Sequence, residues 1–473
     1  MWQALIPVVT LVVLIYVSVV TLEMDPHLAL IMAAAVAAGV GIGVGYSWKE
    51  MEEGMVQGIM IGMRAILILL VIGMLIGTWI LAGIVPVMVD YGLRLMAPSF
   101  FLAAACVICG VVSIATGSSW TTAGTVGVAL IGVGQGLGVP APMVAGAVIS
   151  GAYFGDKMSP LSDTTNLAPA VAGAELFEHV RYMLHTTIPG LVIALIGYTI
   201  LGLSMQGQAT DTGAVTLIRE TLGAQFKLSP VLLLPPLLVV GMVIFRLPAL
   251  PALMGGVALG GVLAVVIQGA ELGALVDAAL NGFKPSSGVA SVDALLENGG
   301  LFNMMSTVAL VICSLGFGGV MERTGMLGVL AGSVIRLARS TGSLVATTVA
   351  TCVGMNVLAP DQYLSIVVPG RMYREAYRKQ GLEPRLLSRT LEDSGTLTSP
   401  LVGWNTCGAF MSQTLGVGAL SYAPYAFLNL STPIIAIVIA FMGWGIVVSP
   451  RQRPTTVHGE RGGERRFSPA KGP

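Results

Sequence analysis

An all-α polytopic membrane protein is the fold class this sequence predicts, and three observations predict it. Of 473 residues, 55% are hydrophobic and only 10% are charged, where a soluble domain carries roughly 25% charge. Mean hydropathy is +0.85. The apolar runs come in lengths of roughly 17 to 25, enough for a helix to cross about 30 Å of hydrocarbon, and they lack the alternation of a membrane barrel.

The same composition excludes several classes. Net charge is zero and aromatics are 6%, so no basic field exists for nucleic acid. Five cysteines lie in apolar sequence, where a thiol acts as a small hydrophobe, and no disulfide is expected. Cys106 and Cys109 form a C-x-x-C without the βαβ context or partner ligands of a redox or metal site. His27, His179, His185 and His458 have no paired spacing, so no zinc, haem or other cofactor is expected. No Lys or Arg precedes the first apolar run and no small-residue cleavage site follows it, so it reads as a retained helix rather than a secretory signal.

The elements follow from the apolar runs and their interruptions. Residues 5–22 and 28–46 read as two helices joined by an acidic turn with Glu23, Asp25 and Pro26, and a charged collar follows at 49–53. The run 61–89 is longer than a straight crossing needs, so a tilt or a break near Gly73, Gly77 or Gly83 is expected. Residues 100–115 end in Thr116-Gly117-Ser118-Ser119-Trp120-Thr121-Thr122, a hydroxyl-rich interruption at membrane depth. Such a break is tolerated only where it is buried in protein or lines a wet cavity. The runs 125–137 and 141–154 are short, and the second leads into the polar stretch 155–169. Helices near 183–205 and 229–245 flank a polar loop at 206–227, and 248–268 precedes a second polar loop at 269–300. After 301–321, the runs 328–338 and 343–354 are again short, and the second is broken at 355–362. A basic amphipathic segment, 371–389, leads into a broken run, 399–420. The last crossing is 425–448, and the tail 451–473 is polar and Gly/Pro-rich, a disordered composition. About 10 to 12 membrane segments are expected.

Six Lys or Arg lie in 371–389 and six more in 451–471, half of the chain's 24. The positive-inside rule assigns both to the cytoplasm and the loops 206–227 and 269–300 to the outside. Sliding the chain by about 240 residues brings Ser159-Pro160-Leu161 onto Ser399-Pro400-Leu401 and 116–121 onto 356–361. Paired broken segments in two halves point to a transport site at a repeat interface. The expected organisation is a first repeat, 1–205, an external loop, 206–227, a second repeat, 228–450, and a cytoplasmic tail, 451–473.

The stretch 155–169 concentrates chemistry in an apolar chain: Asp156, Ser159, Ser162, Asp163, Thr164, Thr165 and Asn166, with Pro160 and Pro169 preventing uninterrupted helix. Charge at membrane depth costs roughly 2.5 kcal/mol or more per residue, so an ion or substrate site is the default reading. The second half contributes Asn356, Asp361, Gln362, Asp393, Thr396, Thr398, Ser399, Asn405 and Thr406. These oxygens suit sodium or lithium. A carboxylate that holds either a proton or a metal ion couples two fluxes, and Asp156, Asp163, Asp361 and Asp393 have settings compatible with the burial this needs. Plainer roles stand beside these. Asp163 would cap a helix, Asp156 would pair with Lys157, Asp361 would cap or line a loop, and Glu392 and Asp393 would be interfacial charges. Asn405 and Thr406 would satisfy backbone around the break.

The segments GAYFGDKMSPLSDTTNLAP, DQYLSIVVPGRMYREAYRKQGLEP and SRTLEDSGTLTSPLVGWNTCGAF closely resemble the NhaC family of sodium/proton antiporters, and the likeness covers most of the chain outside 206–227 and the tail. The resemblance implies a secondary antiporter of the ion-transporter superfamily. It implies two inverted repeats, each with a re-entrant hairpin and a broken helix, assembled as a homodimer in the plasma (inner) membrane. Hairpin tips would lie at 117–124 (Gly117, Ser118, Ser119, Thr121) and 356–362, and broken helices at 159–166 and 399–406. Ser162-Asp163-Thr164 and Asn405-Thr406 are similar to the Ser-Asn-Thr-type sodium sites of related carriers, with Asp in place of Asn. Sodium would therefore bind at Asp156, Asp163, Asn405 and Thr406. The family also contains sodium-linked malate/lactate exchangers, so sodium-coupled organic-acid or amino-acid exchange is the alternative, with Lys157 and Arg371 as candidate anion contacts. A different class, an intramembrane aspartyl protease, rests on Phe154-Gly155-Asp156 alone. Two-fold broken repeats also suit alternating access better than a passive channel.

Overall fold

The computed structural model describes residues 2–22, 24–205, 212–245 and 247–446, and all regular secondary structure among them is helical. Glu23, residues 206–211 of the expected external loop, Arg246 and the tail 451–473 lie outside the described residues. The helices are α1 Trp2–Ile15, α2 His27–Val44, α3 Trp48–Ile61, α4 Met63–Leu81, α5 Ile84–Leu95, α6 Pro98–Thr116, α7 Ser119–Thr122, α8 Val128–Gly136, α9 Ala141–Met158, α10 Asp163–Ala172, α11 Leu176–Ser204 and α12 Thr212–Gln225. They continue with α13 Leu234–Ile244, α14 Ala249–Leu263, α15 Leu272–Asn281, α16 Ala290–Leu296, α17 Met305–Arg323, α18 Met326–Ile335, α19 Thr341–Leu358, α20 Gln362–Lys379, α21 Pro384–Leu391, α22 Thr406–Leu415, α23 Ala419–Tyr422 and α24 Phe427–Met442. Among the described residues, eight helices are long and apolar enough to cross a membrane, or ten if each of two bent pairs is one span. The upper count of ten meets the lower end of the expected 10 to 12 segments; α8, α9, α10 and α20 fall outside the count because they are short or carry charges.

Several expectations change. Both polar loops contain helix: α12 within 206–227, and α15 and α16 within 269–300. The charged collar is the first turn of α3, closed by a capping box between Ser47 and Glu50. Of the three glycines offered as a break in 61–89, only Gly83 is one; it adopts φ 81°, a left-handed turn that glycine enters without strain. Gly73 and Gly77 instead admit the backbone of Gly300 and Ala278 against α4.

Four features of the stretch from α4 to α10 recur in the same order between α17 and α22. Gly325, at φ 70°, divides α17 from α18 as Gly83 divides α4 from α5. Ser113 Oγ of α6 donates to Ala152 O of α9 at 2.6 Å, and Asn356 Nδ2 of α19 donates to Gly395 O at 2.8 Å. The helix-starting caps Ser118 and Ser162 find their counterparts in Asp361 and Asn405, each 243 positions on. The expected shift of about 240 is thus three residues short. Ser159 sits at the end of α9, whereas Ser399-Pro400-Leu401 is a 3-10 turn before the second break, so that match was local.

Tyr182 Oη donates to Gly445 O at 2.6 Å, which places the N-terminal end of α11 beside the C-terminal end of α24. α19 starts at that same end, where a Cβ on Gly342 would meet Phe441. α6 starts at the opposite end, where a Cβ on Gly202 would lie 2.2 Å from Ser99 O. The chain therefore runs toward its two interruptions, after α6 and after α19, from opposite ends of α11.

α6 and α9 pack through small residues, the usual device where lipid offers no hydrophobic drive to helix association. A Cβ on Gly155 would lie 2.3 Å from Gly110 O and 2.5 Å from Ile114 N. Gly155→Val should therefore lower stability by about 1–3 kcal/mol, read as a lower thermal midpoint of the purified protein. Gly39→Ala, where nothing lies within 4 Å of the added Cβ, should leave the midpoint unchanged or raise it.

Candidate ion-binding site

The first half-site forms where α9 stops. Ser159 precedes Pro160 and turns extended, because proline disfavours helical backbone in the residue before it and cannot donate to the preceding turn. The freed groups are recaptured locally. Thr165 Oγ1 donates to the carbonyls of Asp156 (3.2 Å) and Lys157 (3.0 Å), and Asn166 Nδ2 donates to Pro160 O (2.8 Å) and Ser162 O (2.7 Å). Ser159 Oγ accepts from Leu161 N. Ser159 and Asn166, both expected as cation ligands, also help to hold the break.

The interruption after α6 closes on this break. Gly117 is left-handed, at φ 66°, and a Cβ there would lie 2.7 Å from Leu161 Cβ and 3.0 Å from Ser162 N. Ser118 caps α7 by accepting from Thr121 N and Thr121 Oγ1. Ser119 then donates twice to one carboxylate oxygen, Asp156 Oδ2: 2.6 Å from its hydroxyl and 3.1 Å from its N–H. Asp156 is buried and has no Lys or Arg within ion-pair distance among the described residues.

The second half-site is built the same way. Asp361 caps α20 through Tyr363 N (2.9 Å) and Leu364 N, and its other oxygen accepts from Thr406 Oγ1 at 3.2 Å. Thr406 N donates to Pro360 O at 3.0 Å. Asn405 Oδ1 caps α22 through Cys407 N, while its Nδ2 donates to the backbone and side-chain oxygens of Asn356. Asn356 also reaches Gly395 O and Thr398 Oγ1, and Ser399 Oγ donates to Thr396 O. Asn356 lies inside α19, so the tip is narrower than the expected 356–362.

The half-sites converge. Trp120 stacks on Phe410 with centroids 4.1 Å apart. The Tyr153 hydroxyl lies near Cys407, Ser399 and Asp156, and Tyr363 lies within electrostatic range of Asp156, Asp163 and Asp361. Thr164 is buried, its hydroxyl between Ser162 Oγ (3.2 Å) and Glu392 Oε1 (2.9 Å). Asp163 departs from expectation: it is exposed, and it is the first residue of α10 while Ser162 is the cap. Four successive polar residues, Ser162 to Thr165, left the capping register open by one position.

A cavity of about 720 Å³ reaches the second break from the side of the Asp25–His27 turn and α16. Exposed Asp25, Glu297 and Leu420 border it, its floor includes Val402, Gly403 and Trp404, and no Lys or Arg is among the described residues lining it.

On the α21 side the site is backed by buried charge. Lys157 Nζ is hydrogen-bonded to Asp393 Oδ1, which also accepts from Thr186 Oγ1 at 3.0 Å. Arg389, expected on a cytoplasmic surface, is fully buried, over the Tyr182 ring at 4.6 Å and 3.6 Å from Asp393 Oδ2. Glu392 is buried beside it, not an interfacial charge. The i,i+4 spacing of Arg389 and Asp393 was the available signal that this segment pairs inward. Lys157, offered as an anion contact, is instead committed to Asp393, and Arg371 is exposed.

The comparisons with known proteins agree with this architecture. Residues 151–444 match the model of the Na+/H+ antiporter family. The Na+/H+ antiporter NhaC of Alkalihalophilus pseudofirmus is 40% identical over 92% of this chain and 94% of its own. The arginine/ornithine antiporter ArcD of Halobacterium salinarum is 39% identical over 96% and 94%, and the malate-2H+/Na+-lactate antiporter of Bacillus subtilis is 37% identical over 90% and 91%. With a family match that contains both helix breaks and the interruption after α19, and with likeness along nearly its whole length, this multi-pass membrane chain belongs to the Na+/H+ antiporter family.

Proposed function

We propose that the chain exchanges sodium, or lithium, for protons across the plasma (inner) membrane by alternating access. The observation that carries the reading is Asp156: a buried carboxylate bonded only to neutral donors, at the junction of a hairpin tip and a helix break. An ionised carboxylate in that setting needs a compensating cation, and a proton or a sodium ion each supplies one. Ser119 donates to Asp156 in either state, so the competition changes the occupant without dismantling the site.

In this reading sodium is cargo and no cofactor takes part. It is held by Asp156 and Asp163 from the first half and by Asn405 and Thr406, with Asp361 behind them, from the second. Asp393 leaves the expected ligand set because Lys157 already neutralises it. The matched order of elements and the opposite approaches of the two interruptions support inverted repeats, 1–205 and 228–450, joined through 206–227. The basic end of α20 supports a cytoplasmic placement of that side and of the tail 451–473, and the cavity then faces outward. A homodimer in the lipid bilayer remains part of the proposal. The lining of the cavity, with Asp25 and Glu297 and no Lys or Arg among its described residues, disfavours an organic acid as the principal cargo.

The test is a proteoliposome carrying a pH dye. Addition of sodium should alkalinise or acidify the lumen according to the imposed gradient, with no organic acid present; sodium-dependent malate uptake without any sodium-driven pH change would overturn the reading. Asp156→Asn should reduce exchange at least about a hundredfold while the protein still inserts and purifies. Thr406→Val should weaken the apparent sodium affinity by a smaller factor, about threefold to thirtyfold, through the lost bond to Asp361. Asp156→Asn with an unchanged rate and sodium affinity would remove that residue from the site.

A further inference from the structure

The buried cluster behind the site contains orphaned donors and orphaned acceptors side by side. Arg389 Nε, Nη1 and Nη2 have no hydrogen-bond partner among the described residues, and neither do Asp393 Oδ2 and Glu392 Oε2. Arg389 Nε lies 3.6 Å from Asp393 Oδ2, beyond hydrogen-bond range but within reach of a small rotation. The other oxygen of the same carboxylate is held by Lys157, from the end of α9 in the first half. Leaving a guanidinium buried without a hydrogen bond is costly, and the orphaned Asp393 Oδ2 at 3.6 Å is the acceptor that would satisfy it.

We propose that Asp393 exchanges cation partners during the transport cycle. In the present arrangement it binds Lys157 and fastens the two halves together on the side away from the cavity. In the alternative arrangement Lys157 is released, Arg389 takes Asp393 within its own segment, and the halves separate on that side. Lys157 and Arg389 are therefore positioning residues that act through Asp393, and neither contacts the cargo. Both arrangements keep the Asp393 carboxylate paired. The Thr164–Glu392 hydrogen bond crosses the same seam and would break with it. Titratable and charged groups packed around this cluster include Asp156, His179, Tyr182, Tyr377, and Arg385, which lies over the same Tyr182 ring and pairs with Glu383; His179 Nδ1 is bonded to Ser388 Oγ at 2.7 Å and is not a partner of Asp393. The inference rests on the alternating-access reading.

The experiment is hydrogen–deuterium exchange with mass spectrometry on the purified full chain in lipid nanodiscs, following peptides 384–396 and 402–418. Lys157→Met should speed exchange in 384–396 at least about threefold and slow it in 402–418; Arg389→Met should do the reverse, because it removes the partner that the open arrangement needs. A purely structural cluster would loosen the same peptides in both variants, and that result, or no change in either, would overturn the proposal. If Lys157→Met fails to fold, the Lys157→Met/Asp393→Asn double variant removes both charges together and should show the same faster exchange in 384–396; protection equal to wild type would count against the proposal. The readout is independent of flux. A wild-type protein that shows no sodium/proton exchange in proteoliposomes refutes the functional reading, whereas exchange in the wild type with parallel shifts in the two variants refutes only the partner switch.

Discussion

Backbone that leaves a helix at membrane depth finds no water there, so its N–H and C=O groups have to be satisfied inside the protein. Two such departures, at 159–162 and 402–405, organise this structure. Each is closed by the polar residues of its own turn and by an interruption arriving from elsewhere in the chain: Gly117 against Leu161 in one half, Pro360 against Thr406 in the other. The polar residues that make the breaks tolerable are the same residues that make a hydrophilic site. Stabilisation and function are therefore not separable along these segments, and Ser162, Asn166, Asn356 and Asn405 serve the backbone first.

Against that background the carboxylates divide into two kinds. Asp393 is matched to Lys157 and Arg389, and buried ion pairs of this type hold geometry more than they add stability. Asp156 and Asp361 accept only from neutral donors. A carboxylate supplied with fixed cations has no need of a mobile one, while a carboxylate given only hydroxyls and amides does. The asymmetry between the halves follows: the first offers an acidic residue directly at its break, and the second offers an amide and a hydroxyl backed by the Asp361 cap.

Much of this was legible in the sequence because it depends on local rules. Proline and glycine at membrane depth announced the interruptions at 116–122 and 159–166, and the hydroxyl-rich composition announced their chemistry. Non-local facts were not legible. Lys157 and Asp393 are 236 positions apart, and nothing local distinguishes a lysine that pairs across two halves from one that contacts an anion. Arg389 reads as a surface residue because the charges that precede it, from Arg371 to Lys379, are exposed, and only the fold shows that the amphipathic segment turns its last turn inward. Asp163 was expected to be buried because it lies among residues that are. Its exposure was decided by a single step of capping register, in which Ser162 rather than Asp163 took the cap. The loops at 206–227 and 269–300 concealed α12, α15 and α16 because helices of 14, 10 and 7 residues lack the long apolar run that marks a crossing.

The central claim is that sodium and a proton compete for Asp156. Calorimetric titration of the purified protein with sodium, repeated in buffers of different ionisation enthalpy, counts the protons released on binding. The account predicts proton release by the wild type and its loss in Asp156→Asn. Sodium binding without proton release, or undiminished release from Asp156→Asn, would contradict it.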